Sequence, residues 1–309
     1  HALYAALHAL VNPGDEIIVP APFWVTYFEM VRMMGGIPVI VSADESEHFK
    51  LTPERLAASV TPKTKAILLN NPSNPTGMVY SREELQALAA VCVEKDIYII
   101  ADEIYYRLVY DGRSFTSIAS LGKDVKERTI VINGVSKSYA MTGWRIGYAA
   151  APEQIARIMA NYLSHSTAAP CSIAQKAAVE ALNGPQDTVE AMRKAFETRR
   201  NHLVERMNRI PGVSCLKPEG AFYVMMNLRE LLGKTLHGTP IHDADDFAEV
   251  FLKQGLVVCH LYGEHRCGAG PAGKILGRVS NTCGADLVSA PFLWYDAFNR
   301  KIVWEVEHE

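Results

Sequence analysis

The sequence lacks the features that mark membrane, secreted and nucleic-acid-binding proteins. No apolar run approaches the roughly 20 residues that a membrane-spanning helix requires. The formal net charge of -3 over 309 residues gives no basic surface for nucleic acid or an anionic membrane. The six cysteines are scattered without a disulfide-framework spacing. These absences leave an ordinary globular protein in a reducing, cytoplasmic setting.

The beginning of the chain also lacks an initiating methionine and a helix cap. Residues 1–10 carry apolar side chains at helical spacing, with no Ser, Thr, Asp or Asn before them. We therefore expect the sequence to begin inside a helix and to be a fragment of a longer protein.

What the first half of the chain does contain is a regular alternation of strands and helices. Short apolar runs predict strands at residues 16–20, 37–41, 65–70, 97–101, 129–133 and 146–150. Helices are predicted between them: one opens at Pro22, and two begin with capping signals at Thr52 and Ser81. This order predicts an α/β fold with a mostly parallel sheet covered by helices on both faces. Functional residues are then expected at the strand ends.

The second half of the chain begins its pattern with a long charged helix. Residues 187–208 place four apolar side chains on one face, namely Met192, Phe196, Leu203 and Met207. A strand at residues 220–226 and a helix at residues 243–254 follow. Neither repeats nor a low-complexity linker separate the two halves.

One lysine follows a predicted buried strand in a segment of small and apolar residues. Lys137 is expected to be poorly solvated there, and the nearby cation Arg145 further favours its neutral amine. The neutral amine is the form that makes an imine with an aldehyde, and a planar guanidinium suits phosphate. Such a pair meets the needs of pyridoxal phosphate. Taken alone, the Ser-Lys pair would favour a strand-end loop with a surface lysine.

The lysine segment resembles the lysine motif of class I/II pyridoxal-phosphate aminotransferases, the aspartate aminotransferase-like group of fold type I. The matching residues are Gly134, Ser136, Lys137, Ala140, Met141, Gly143, Arg145, Ile146 and Gly147. The resemblance implies a large cofactor-binding α/β domain over residues 1–185 and a smaller α+β domain over residues 186–309, atypical after residue 258. It also implies that Lys137 carries the cofactor as an imine and then moves the substrate proton.

Two further motifs of this family lie upstream of the lysine. The segment Asn71-Pro72-Ser73-Asn74-Pro75-Thr76-Gly77 resembles the N-P-x-N-P-T-G loop, although its composition alone would only indicate a turn. The resemblance places Asn74 beside the cofactor's phenolic oxygen and the substrate carboxylate. Asp102, which could otherwise cap a helix, matches the carboxylate that keeps the pyridine nitrogen protonated. Its neighbour Glu103 is expected to be structural.

The remaining cofactor contacts follow from the same resemblance. Tyr105 matches the tyrosine that donates to the phenolic oxygen, and Ser136 and Arg145 would bind the phosphate. Trp24 resembles the ring that stacks on the cofactor and contacts substrate, although an aromatic side chain is more often plain core.

The resemblance covers roughly residues 2–258 and weakens beyond them. Arg278 has the form of the family's arginine for the substrate α-carboxylate, but its surroundings differ. A zinc site is not predicted, because paired C-x-x-C knuckles are missing from the group Cys259, His260, His265, Cys267 and Cys283. The glycine-rich run at residues 268–273 follows no clear strand, so it does not predict a phosphate loop. We expect residues 259–309 to pack loosely over the small domain.

Three functions are compatible with these patterns. The first is an aminotransferase that moves an amino group between an amino acid, most readily aspartate, and 2-oxoglutarate, acting as a homodimer with pyridoxal phosphate. The second is another fold type I activity, such as aromatic aminotransferase or β-elimination lyase. The third is a scaffold or truncated product that binds cofactor poorly and catalyses nothing. Because family segments at both ends are missing or altered, we expect weak activity or none.

Overall fold

A computed structural model describes residues 1–253, 258–262, 291–296 and 301–306 of the chain. The strands of its first sheet are β1 (Glu16–Ala21), β2 (Ile37–Ser42), β3 (Thr64–Asn70), β4 (Tyr98–Asp102), β5 (Thr129–Gly134) and β6 (Gly147–Ala150). They lie in the order β2-β1-β3-β4-β5-β6, and only the β5–β6 pair is antiparallel. The predicted α/β fold with a mostly parallel sheet is confirmed.

Helices connect and cover these strands. They are α1 (Ala2–Leu10), α2 (Thr26–Met33), α3 (Pro53–Ser59), α4 (Arg82–Glu94), α5 (Lys123–Lys126), α6 (Glu153–Ser166), α7 (Ser172–Asn183), α8 (Asp187–Met207) and α9 (Ala244–Lys253). Short 3-10 turns occupy Glu45–Glu47, Ile118–Ser120, Thr142–Trp144 and Arg229–Leu231. Among the helices that the structure describes, none has the length and apolar character needed to cross a membrane.

Both predicted capping signals form, but one predicted helix start was wrong. The Thr52 hydroxyl accepts a hydrogen bond from the Arg55 amide at 3.3 Å, and Ser81 forms a reciprocal capping box at the start of α4. Helix α2 begins at Thr26 instead of Pro22. The preceding residues form a turn in which the Trp24 carbonyl accepts from the Tyr27 amide at 2.9 Å. Helix α7 was not predicted.

The first sheet has an apolar layer on each face. Successive residues of β3 point to opposite sides, so that Leu68 packs with α1, α2 and α6 while Leu69 packs with α3, α4 and α5. Each fully buried aliphatic side chain of this kind contributes roughly 1.5–3 kcal/mol relative to exposure. Burial on both faces explains why these strands read as near-continuous apolar runs in the sequence.

A second sheet forms beside the first. The strands of this sheet and of a separate short hairpin are, in chain order, β7 (Ser214–Cys215), β8 (Tyr223–Asn227), the hairpin strands β9 (Thr235–Leu236) and β10 (Thr239–Pro240), then β11 (Val258–Tyr262), β12 (Pro291–Asp296) and β13 (Lys301–Val306). The sheet order is β11-β12-β13-β8-β7, with the hairpin apart from it. Segments expected to pack loosely therefore pair as strands, with β13 antiparallel to β8. The domain boundary near residue 185 stays a prediction.

A buried polar contact links helix α8 to the loop after β4 and to the segment that leads into β8. Arg200 is buried on α8 and forms two hydrogen bonds to the Asp111 carboxylate, at 2.8 and 2.9 Å, and another to the Pro218 carbonyl. The Arg200 bond is the main reason that the pKa of Asp111 is lowered to about 2. Gly77 has a φ of +69°, and a Cβ there would lie 2.5 Å from the Pro218 Cβ. The segment leading into β8 is thus held against the first sheet.

Candidate active site

The carboxyl ends of the parallel strands gather most of the predicted site residues. Asn70 at the end of β3 pairs with Asp102 at the end of β4, and Asp102 pairs with Ile132 of β5. The loops after β1, β3, β4 and β5 therefore leave the sheet at one edge, as expected for an α/β fold. The predicted residues on this edge are Trp24, Asn74, Asp102, Tyr105, Ser136 and Lys137.

Asp102 is a buried carboxylate that receives two hydrogen bonds. Its Oδ2 accepts from the Tyr27 hydroxyl at 2.7 Å and its Oδ1 from the Ile104 amide at 3.2 Å. Burial raises the pKa of the Asp102 carboxyl, and these two hydrogen bonds oppose that rise. Within the described part of the chain, no lysine or arginine forms an ion pair with it. The charge of the His1 α-amino group also opposes the rise. A buried carboxylate that no described side-chain cation pairs with is suited to receive a protonated ligand nitrogen.

Tyr27, which was not predicted as a site residue, connects Asp102 to Trp24. The ring of half-buried Trp24 meets the Tyr27 ring edge-on, with centroids 5.4 Å apart and an interplanar angle of 85°. Tyr27 lies in the first turn of α2, where an aromatic residue in an apolar pattern is read as core. Its hydroxyl is the signal that was missed, since a buried phenol needs a hydrogen-bond partner.

The lysine loop packs against the loop that follows Asp102. Ser138 is fully buried, and its hydroxyl donates to the Ile104 carbonyl at 3.4 Å. A Cβ on Gly134 would lie 2.8 Å from the Ile146 carbonyl oxygen, so only glycine allows this close approach of the hairpin strands. Lys137 is half-buried, and its Nζ lies 5.1 Å from the centroid of the Phe222 ring. The amine therefore lies between the sheet edge and the segment entering β8.

Asn74 and Tyr105 meet at a third side chain, Tyr223 of β8. The Tyr105 and Tyr223 hydroxyl oxygens are 2.5 Å apart, and the Asn74 Nδ2 donates to the Tyr223 hydroxyl at 3.2 Å. The Asn74 Oδ1 is buried and has no hydrogen-bond partner among the described residues. The backbone N–H of Asn74 donates to the Asn70 Oδ1 at 2.6 Å, which anchors the loop to the end of β3. Phe222 and Tyr223 were not predicted as site residues.

The two predicted phosphate contacts lie at opposite ends of the lysine loop: Ser136 is near its start and Arg145 is near its end. Arg145 has a left-handed φ of +56°, is exposed, and donates to the Thr142 carbonyl at 2.8 Å. The pKa of the His1 α-amino group is lowered by burial and then by the charge of Arg145, which places Arg145 near the start of α1. Ser136 is half-buried beside Lys137. Arg278 and the side chains of the His and Cys group at 259–283 lie outside the described residues.

With this geometry in place, the comparisons with known proteins identify the family. The family model "Aminotransferase class I and II" matches residues 1–281. The chain belongs to this family. It is 53% identical over 230 residues to an aspartate aminotransferase of Geobacillus stearothermophilus, covering 74% of this chain and 58% of that relative. It is 50% identical over 254 residues to an aspartate aminotransferase of Bacillus subtilis, covering 82% of this chain and 64% of the relative.

A solved structure in the same family has the same fold. The aspartate aminotransferase from Rhizobium meliloti matches with a TM-score of 0.79 at 42% identity, over 81% of this chain and 63% of that one. The resemblance to fold type I aminotransferases is thereby confirmed. This chain spans 58% and 64% of the length of the two curated relatives above. The roles of individual site residues stay predictions.

Glu103 adjoins Asp102 in sequence but has different surroundings, and it gives a testable pH dependence. It accepts from the Ser117 hydroxyl at 2.7 Å, and burial raises its pKa from 4.5 to about 7. Because the folded state keeps a proton that the unfolded state loses, this group's contribution to stability is complete below about pH 4.5. That contribution is lost as the pH rises toward 7.

We therefore expect Glu103→Gln to stabilise the protein at high pH only. The free energy of unfolding should match that of the parent at pH 4 and exceed it by on the order of 2 kcal/mol at pH 8. Urea unfolding followed by tryptophan fluorescence at both pH values measures the difference. Glu230→Gln, at an exposed position, is the control and should track the parent at both pH values. An equal difference at pH 4 and pH 8 would contradict the buried, protonated state of Glu103.

Proposed function

We propose that this chain is a pyridoxal-phosphate-dependent aminotransferase, acting as a cytoplasmic homodimer. It would transfer an amino group from an amino acid, aspartate first, to 2-oxoglutarate. The observation that carries the proposal is the gathering of Lys137, Asp102 and Asn74 at one edge of the sheet, joined by packed loops. The aspartate specificity draws its support from the two curated relatives, both named aspartate aminotransferase.

The residues on the sheet edge fit this cofactor. Asp102 offers a buried carboxylate to the pyridine nitrogen. Tyr105 offers a hydroxyl to the phenolic oxygen of the cofactor. Asn74 has a buried polar atom without a partner among the described residues, which a ligand group could satisfy. For the phosphate, the positive end of α1 lies near the guanidinium of Arg145. Ser136, next to the lysine, would add a hydroxyl.

The chemistry divides between the cofactor and the protein. When bound, pyridoxal phosphate supplies an aldehyde carbon for the amino group and a ring that accepts electron density. Lys137 would take the proton from the substrate Cα with its Nζ and later deliver a proton to the neighbouring carbon. The Phe222 ring centroid lies 5.1 Å from this amine, where the ring face would stabilise the cation formed when Nζ takes the proton. Asp102 would hold the proton on the ring nitrogen, which favours electron withdrawal from the substrate.

The experiment that tests this proposal is covalent trapping of the cofactor. Pyridoxal phosphate is added to the purified chain, the visible absorbance is recorded, and borohydride reduction is followed by peptide mapping. We expect the pyridoxyl group on Lys137. A chain that acquires neither absorbance nor label would support the inactive-scaffold hypothesis, and a label on another lysine would refute the assignment of Lys137.

A panel of amino donors then separates the enzyme hypotheses. Aspartate with 2-oxoglutarate is expected to give the highest turnover, measured as oxaloacetate formation. A preference for tyrosine or phenylalanine would favour an aromatic aminotransferase. Release of ammonia and a keto acid without an acceptor would favour a β-elimination lyase.

A further inference from the structure

Tyr223 lies behind the two residues predicted to face the cofactor's phenolic oxygen. Its side chain is 2% exposed, and its hydroxyl contacts both the Tyr105 hydroxyl at 2.5 Å and the Asn74 Nδ2 at 3.2 Å. The Tyr105 and Tyr223 rings meet edge-on, with centroids 5.6 Å apart. A single phenol from the second sheet therefore connects two side chains that come from separate loops of the first sheet.

Two hydrogen bonds meet at the oxygen of this phenol. The Asn74 side-chain nitrogen can only donate, so the Tyr223 oxygen accepts from it. Either hydroxyl can be the donor in the 2.5 Å contact between Tyr223 and Tyr105, and in both directions the contact ties the Tyr105 hydroxyl to a buried group. Consecutive hydrogen bonds of this kind polarise one another.

The backbone that leads to Tyr223 is fixed at several points. The Gly220 amide donates to the Gly77 carbonyl at 2.8 Å, and the Ala221 amide donates to the Leu108 carbonyl at 2.9 Å. The Ala221 carbonyl accepts from the buried Tyr110 hydroxyl. Each of these bonds joins a segment that follows β3 or β4 to the entry of β8. They hold the backbone before Tyr223 in place independently of the hydrogen bonds that its hydroxyl makes.

We propose that Tyr223 is a positioning residue that orients Asn74 and the Tyr105 hydroxyl toward the cofactor's phenolic oxygen. The inference rests on the proposed function and adds a residue from the second sheet to its site. Tyr223 acts through its two neighbours, and its hydroxyl, more than its ring, carries the effect. Removing that hydroxyl breaks the hydrogen bonds that hold the Tyr105 hydroxyl and the Asn74 nitrogen in their present orientation.

The first test needs no cofactor. A double-mutant cycle compares Tyr223→Phe, Tyr105→Phe and the double variant by their urea midpoints. We expect the double variant to lose less than the sum of the single losses, because each single change already breaks the hydrogen bond between the two hydroxyls. The matched control is Tyr80→Phe, which removes a buried hydroxyl that accepts from the Leu51 backbone amide at 2.7 Å, away from this contact. Its loss should add to that of Tyr105→Phe. Additive losses in the Tyr223 cycle would overturn the proposed contact.

The second test uses the loaded protein and a spectroscopic readout. A hydrogen bond to a charged oxygen favours the deprotonated form, so weakening it should raise the pH midpoint of the bound cofactor's absorbance change by about half a unit in Tyr223→Phe. Tyr80→Phe should leave the midpoint unchanged. Coupling without a shift in midpoint would reduce Tyr223 to a structural contact and overturn the positioning role. Failure of the unaltered chain to bind cofactor would count against the proposed function, and the cycle would then decide the contact alone.

Discussion

Under the proposed function, replacing Lys137 with alanine is expected to lower amino transfer from aspartate by on the order of 10⁴-fold, the upper range for a general acid–base residue. The reason is positional: the Lys137 amine is held between the sheet edge and the Phe222 ring, at the edge where Asp102 and Asn74 also lie. Cofactor binding should survive, because Asp102 and Arg145 remain. Single-turnover absorbance with saturating aspartate measures the chemical step separately from substrate binding.

Two controls make the Lys137 result specific. Lys126→Ala removes an exposed lysine at the end of α5 and should leave turnover unchanged. Added methylamine should restore part of the Lys137→Ala rate with a first-order dependence on the free amine, since a small base can occupy the vacated space. Wild-type rates in Lys137→Ala, or equal losses in both variants, would show that another group moves the proton.

Replacing Asp102 with alanine is expected to cost on the order of a thousandfold in turnover. Breaking a buried charge pair typically costs 3–5 kcal/mol, and each 1.36 kcal/mol corresponds to a tenfold change in rate. Asp102→Asn should show a similar loss while keeping the side-chain shape, since its Oδ1 can accept from the Ile104 amide and its Nδ2 can donate to the Tyr27 hydroxyl. The loss should appear in kcat and in the affinity for pyridoxal phosphate, measured by absorbance titration.

The urea midpoint of each Asp102 variant distinguishes the loss of a cofactor contact from misfolding of the protein. Because burial raises the pKa of the Asp102 carboxyl in the folded chain, the charged form destabilises the cofactor-free fold at neutral pH. Asp102→Asn is therefore expected to raise the urea midpoint at pH 7 while activity falls. Glu103→Gln is the matched control, since it also neutralises a buried carboxylate but bonds Ser117 and lies outside the predicted site. Small and equal activity losses at both positions would mean that the pyridine contact is wrongly placed.

Local sequence patterns predicted most strands of the first sheet and the caps of two helices that cover it. A capping box such as that of Ser81 depends on residues three positions apart, so nearby sequence suffices to determine it. The two-sided burial of β3 and β4 likewise appears as continuous apolar runs. The prediction failed where pairing partners are distant. Strand β13 pairs with β8 across more than seventy residues, and no periodic pattern in residues 301–306 indicated that pairing.

The sequence by itself determined the family, and it predicted which residues of the lysine, asparagine and aspartate motifs belong to the site. Those motifs are continuous in the chain, so they can be read without knowing the fold. Only the tertiary structure decided that Tyr27 donates to Asp102, that Phe222 lies near the Lys137 amine, and that Tyr223 joins Asn74 to Tyr105. These partners lie 75 to 149 positions apart where they form hydrogen bonds. Strand register and the packing of the segment entering β8 against the first sheet bring these partners together. Neither can be predicted from the sequence around a single aromatic residue.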